Sequence, residues 1–167
     1  HLAYMDQSEI TDLCPGCGTW PDYLADTLNT HTGIQGVFSL SGAILDTVWI
    51  DASESEINLL SVHGTYDGIV SYETAPVYPC CDTYQVPIHG SCPTTSAQIN
   101  NGGNTHLVSG TGFGHNVLDQ EWWPSVKAQI LWFAGKTLFD DSGFNKHAEY
   151  VRSTPVPNCP NPFPPIV

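Results

Sequence analysis

Three short apolar runs, each closed by glycine or another turn-prone residue, constrain this chain more than any other feature. Residues 33–42 (Gly-Ile-Gln-Gly-Val-Phe-Ser-Leu-Ser-Gly), 57–63 (Ile-Asn-Leu-Leu-Ser-Val-His) and 105–110 (Thr-His-Leu-Val-Ser-Gly) have the length of strands. Their apolar character reads as burial within a sheet covered on its faces. Residues 80–103 are loop-rich, with at most one helix, near 91–101. After the third run, Trp123, Val126, Ile130, Phe133, Ala134 and Leu138 recur at helical spacing and predict a helix over 122–138. The order strand, loop, strand, helix, strand, helix predicts an α/β fold: a mostly parallel sheet of about three strands flanked by helices.

The flanks are less regular. Residues 1–10 read as the end of a helix, and a short helix is expected over 21–28, with Pro21 at its first position. Past Asp140 the chain turns polar, and from Pro155 it is proline-rich. Residues 1–150 are therefore assigned to the folded domain and 151–167 to an extended tail.

Charge and cysteine content narrow the setting. Four Lys and Arg against 17 Asp and Glu give a formal charge of -13, which repels phosphate backbones and anionic lipid, so no nucleic-acid partner is expected. No apolar stretch reaches the roughly 18 residues that a membrane span needs. Six cysteines, Cys14, Cys17, Cys80, Cys81, Cys92 and Cys159, lie mostly in loop-forming segments and read as disulfides of a secreted protein. The pairing expected is Cys14 with Cys17, one of Cys80 or Cys81 with Cys92, and the other with Cys159. A zinc site on Cys14-Pro-Gly-Cys17 would need two further ligands at close spacing, and there is no second such pair. A thiol redox role for Cys14 and Cys17 is disfavoured, because that pair does not open a helix after a strand. No metal or cofactor is expected. Secretion without a signal peptide, in a chain beginning at His1, is read as an N-terminus made by processing or cloning.

Functional side chains of open parallel sheets sit just beyond the carboxyl ends of strands. The second run leads into His63-Gly-Thr-Tyr-Asp67, which sets a carboxylate on the loop after an apolar strand. The third leads into Gly110-Thr-Gly-Phe-Gly-His115, a glycine-rich turn that presents an imidazole. These are the candidate site residues.

At these two loops the chain resembles the α/β-hydrolases, whose acid-bearing strand ends in His-Gly-Thr-x-Asp. The stretch 112–115 is similar to the histidine loop of that family, and Trp132 and Phe133 fall in the helix that usually closes the fold. Residues 36–43 resemble the strand before the acid strand, and His1-Leu-Ala-Tyr-Met5 resembles the helix behind the nucleophile elbow of carboxylesterase-like members. The resemblance runs in order through residues 1–140. It implies a partial α/β-hydrolase fold, with Asp67 as the acid and His115 as the base of a Ser-Asp-His triad. It also implies a secreted serine hydrolase acting on a small ester-type substrate. Gly-x-Ser-x-Gly and the His-Gly-Gly oxyanion loop do not occur in the sequence. The serine is therefore expected on a separate or missing N-terminal part, and this chain alone is expected to be inactive.

Ser41 follows a strand and precedes Asp67 and His115, as a nucleophile would. Residues 43–51 behind it carry Thr47, Val48 and Ile50 and do not read as the helix an elbow serine needs, so a hydroxyl bonded to backbone is the expectation for Ser41. Likewise, His63 reads as a loop support, and Trp122, Trp123 and Trp132 as core or pocket wall. The competing reading is a non-catalytic secreted binding or assembly subunit that kept the fold and lost the chemistry, and that forms a polymer where its partner is a copy of itself. Both readings require a partner over the open sheet edge, either the N-terminal half of the same hydrolase or another chain.

Overall fold

The structure is a computed structural model of the chain and describes residues 34–51, 56–77, 86–140 and 143–152. Four strands, β1 (Gly36–Leu40), β2 (Asn58–Gly64), β5 (Thr105–Thr111) and β6 (Asn145–Val151), form one sheet in the order β1-β2-β5-β6, and every pairing is parallel. Two three-residue strands, β3 (Thr74–Pro76) and β4 (Pro87–His89), form a separate antiparallel pair. Helix α1 spans Ser91–Asn100 and helix α2 spans Trp123–Phe139. The α/β class and parallel sheet are as expected, and both helices lie where the sequence places them.

The inner position of β2 explains why its run is mostly apolar. In β2, residues Leu59 to Gly64 are all buried, because successive side chains point to opposite covered faces. Leu60 and Val62 join Val108, Phe113, Val117, Trp122, Val126 and Phe133 under α2. Leu59 packs on the other face with Ile44, Ile50 and Ile57, and Ala97 of α1 lies against them. Helix α1 has little apolar content, and its buried residues are Ser91, Thr94, Thr95 and Gln98. Its hold on the sheet includes a hydrogen bond from Gln98 Nε2 to the Ile57 carbonyl, 2.8 Å. Trp122 is 1% exposed and stacks on Phe113 with ring centroids 4.8 Å apart, as core rather than pocket wall.

Two expectations are corrected. The polar segment after Asp140 contains a fourth strand, β6, where none was expected. As the sheet's terminal strand it covers only one face: Ala148 and Tyr150, with Phe144 before the strand, pack beside the α2 core, while Asn145, His147, Glu149 and Val151 are exposed. Cys92 carries a free thiol, so the bridge expected from Cys80 or Cys81 to Cys92 is not formed. Burial, together with the nearby Glu73 carboxylate, pushes this thiol up to about 12, which leaves it protonated and inert at neutral pH. The remaining cysteines, the helices expected over 1–10 and 21–28, and the tail beyond 152 lie outside the described residues.

Candidate active site

Strands β2 and β5 are adjacent, parallel and in register, with His63 opposite Ser109 and Gly64 opposite Gly110. The two loops therefore leave the same edge of the sheet side by side. Backbone hydrogen bonds stitch them together: Thr65 N–H to Gly110 O at 2.9 Å, and Tyr66 N–H to Phe113 O at 3.0 Å. Glycine is required at position 64, because a Cβ there would lie 2.3 Å from both the Phe113 and Gly114 carbonyl oxygens. Gly112 turns the second loop in the left-handed region, with φ 83°.

Gly64→Ala is accordingly expected to push the acid and histidine loops apart, since backbone oxygen cannot yield as a flexible side chain can. A destabilisation of about 2–3 kcal/mol is expected, at the upper end for an overpacked site. Urea unfolding of the variant measures it, and an unchanged midpoint would contradict the contact.

Asp67 and His115, 48 residues apart, meet at this seam. His115 Nδ1 lies 2.8 Å from Asp67 Oδ2, with the carboxylate fully buried and the imidazole 41% exposed. The other carboxylate oxygen, Oδ1, accepts the backbone N–H groups of Ile69 at 2.8 Å and Val70 at 3.0 Å, an Asx turn that fixes the side-chain plane. A second imidazole shares Oδ2: His63 Nε2 lies 3.0 Å from it and 3.0 Å from the Val70 carbonyl. Between two acceptors, Nε2 of His63 must carry a proton, and its Nδ1 hydrogen-bonds with the Ser91 hydroxyl at the start of α1, 2.9 Å away. His63 is 0% exposed and its ring meets Tyr72 edge to face, at 5.7 Å between centroids.

These contacts set the electrostatics. Burial pushes the Asp67 carboxyl up. Against it act the His63 hydrogen bond, the Ile69 N–H, the His115 hydrogen bond and the charge on His63, and the net value lies below the ordinary carboxylate range. Asp67 is thus a carboxylate at neutral pH. Only a donor can face it, which places a proton of His115 on Nδ1 and, in the neutral imidazole, leaves Nε2 as the lone-pair acceptor. That tautomer is the one a general base needs.

Ser41 stands at the end of β1. Its Oγ donates to the His115 backbone carbonyl at 2.8 Å. Behind it the chain forms a bridge from Ile44 to His89 and a short 3-10 turn, Thr47–Trp49, rather than a helix. Ser41 is therefore a serine bonded to backbone, the expected arrangement. Sequence reasoning missed the double use of Oδ2, the Ser91 contact, and the His115 carbonyl as the backbone group that Ser41 meets. Only the Ser-Leu-Ser-Gly turn left a visible trace of the last.

Among the described residues, no group of three or more His, Cys, Asp or Glu is placed to hold a metal ion. No helix among them is long and apolar enough to cross a membrane. Comparison with protein-family models, with curated proteins and with solved structures finds no match for this chain. The chemistry of the site is accordingly read from its geometry.

Proposed function

We propose that this chain is the C-terminal part of a secreted α/β-hydrolase. Asp67 supplies the acid and His115 the base of a Ser-Asp-His triad acting on carboxylic esters or related acyl bonds. The serine is carried on a segment outside these 167 residues. The observation that carries this reading is the 2.8 Å contact of His115 Nδ1 with buried Asp67 Oδ2, which leaves Nε2 on the exposed side of the ring. In the reaction His115 takes the serine proton through Nε2 and returns it to the leaving alcohol. Asp67 holds the imidazole in that tautomer and stabilises the imidazolium. His63 and the Asx turn hold Asp67. An extracellular setting is supported by the low charged content, 13%, and the six cysteines.

The described sheet supports a partner strand beside β1. β1 is a terminal strand, and Phe38 and Leu40 on it are 47% and 40% exposed. An apolar groove of about 360 Å³ runs between it and α2, lined by Ile34, Phe38, Phe133 and Leu138. A second groove, beside Val37, Ser39, Ile44 and Thr94, lies on the opposite face. A parallel strand from the serine-bearing segment would pair with the edge of β1 that no described strand covers and drop alternate side chains into the two grooves.

The test joins the serine-bearing segment to these residues in one polypeptide and follows hydrolysis of short p-nitrophenyl esters. Turnover that is lost in both Asp67→Asn and His115→Ala is expected; turnover indifferent to both removes the reading. Exposed Phe38 and Leu40 on a terminal strand favour the second reading, a non-catalytic assembly subunit. Concentration-dependent polymerisation in sedimentation, with no ester turnover in the joined polypeptide, would select it.

A further inference from the structure

Among the described residues, Ser41 is the one non-glycine residue with positive φ, 48°, and it is 5% exposed. Left-handed backbone is unfavourable for a residue with a Cβ and persists where surrounding contacts over-determine it. Two contacts do so here. The Ser41 N–H donates to the Val62 carbonyl on β2 at 2.8 Å, and its hydroxyl donates to the His115 carbonyl at 2.8 Å. The strained turn thus ends in a single hydrogen bond that spans 74 residues and lands on the backbone of the candidate base.

His115 needs such a tether. It sits on a turn containing Gly110, Gly112 and Gly114 and its side chain is 41% exposed, so neither the loop's composition nor its packing fixes the ring. Asp67 Oδ2 already has a donor in buried His63, so the carboxylate is not left bare when His115 swings away. One ring contact, competing with a buried rival, is weak insurance against loop motion.

We propose that Ser41 is a positioning residue for His115, holding its backbone so that Nδ1 stays on Asp67 and Nε2 stays aimed outward. The proposal deepens the hydrolase reading and rests on His115 as its base. It makes the end of β1 a structural part of the acid–base machinery, acting through the histidine loop and not on substrate.

The test uses the 167-residue chain and the variants Ser41→Gly and Ser41→Ala. Both remove the hydroxyl; glycine also relieves the left-handed backbone, so its fold is the better protected of the two. Long-range ¹H–¹⁵N correlation spectra of the imidazoles read the tautomers directly, with His63 as internal reference because its own bonds do not involve Ser41. In the native chain His115 is expected as the Nδ1–H form alone, and in both variants as a mixture of Nδ1–H and Nε2–H. A melting temperature lowered in both variants with His115 still wholly Nδ1–H would overturn the proposal, leaving Ser41 merely structural. A shift confined to the alanine variant would overturn it too, by assigning the effect to backbone strain. In the serine-bearing polypeptide, Ser41→Gly is expected to lower kcat roughly 10- to 100-fold with KM unchanged. Because the spectra need no serine, an ester turnover insensitive to Asp67→Asn would sink the hydrolase reading while the tautomer result still decides the role of Ser41.

Discussion

Asp67→Asn is expected to lower ester turnover by the serine-bearing polypeptide roughly 10⁴-fold, the scale set when a triad acid loses its charge but keeps its shape. The orientation of the new amide is forced. Its oxygen must take the place of Oδ1, because the Ile69 and Val70 N–H groups donate there. The amide nitrogen then occupies the place of Oδ2, where it meets the Nδ1–H of His115 and the Nε2–H of His63 as a donor facing donors. His115 can recover a hydrogen bond only by moving its proton to Nε2, which removes the lone pair that would accept the serine proton. His63 keeps the Val70 carbonyl, so the fold should survive at a cost of about 1–3 kcal/mol for the buried mismatch.

The same carboxylate contributes a pH dependence. Its folded-state value lies below the ordinary 3.8. Its stabilisation is therefore fully present above about pH 4 and is lost as the pH falls through the still lower folded-state value. Urea midpoints of the native chain and Asp67→Asn should converge on acidification. Midpoints that stay equally separated down to pH 2 would contradict the ionised, hydrogen-bonded carboxylate.

A second pH effect is expected from His106, at milder acidity. This residue of β5 is 0% exposed, neither ring nitrogen has a hydrogen-bond partner among the described residues, and its ring stands edge to face on Trp132 with centroids 4.9 Å apart. Its register partner on β6 is Lys146, whose Nζ lies 4.1 Å from the centroid of that same Trp132 ring. Burial first, then the positive charges of Lys146 and His147, hold the imidazole down to about 4 from its ordinary 6.5. Between those two values the unfolded chain binds a proton that the folded chain refuses. Stability should therefore fall as the pH drops from about 6.5 towards 4, by about 3 kcal/mol in all. His106→Leu removes the titrating group from a buried site beside Trp132, and should flatten the urea midpoint between pH 7 and 4.5. A variant that keeps the native slope would locate the acid sensitivity elsewhere.

Legibility followed burial. The runs containing β2 and β5 were visible because burial on both faces demands mostly apolar character, that of β1 because its apolar residues stand on both faces of a terminal strand, and α2 because its inward stripe repeats at helical spacing. β6 was hidden: Asn-Lys-His-Ala-Glu-Tyr-Val is a terminal strand, so half its side chains face solvent and the residues that pack inward are few and modest. β3 and β4 are three residues each, too short to carry a period. The antiparallel bridge from Ile44 to His89 joins segments 45 residues apart and left no local signal.

Taken alone, the amino-acid order determined that an apolar strand runs into Asp67, that another runs into a glycine-rich turn at His115, and that glycine stands where each turn needs it. These are local facts, set by burial pattern and backbone freedom within a few residues. Tertiary structure alone decided that the two strands are neighbours in register, so that both loops leave one edge and the imidazole reaches the carboxylate. It alone also decided that His63 and Ser91 stand behind Asp67, and that Ser41 reaches the His115 carbonyl. Apart from His63 with Asp67, four residues away, these contacts join residues 28 to 74 positions apart in chain order, and only pairing and packing of whole elements bring those groups within hydrogen-bond distance.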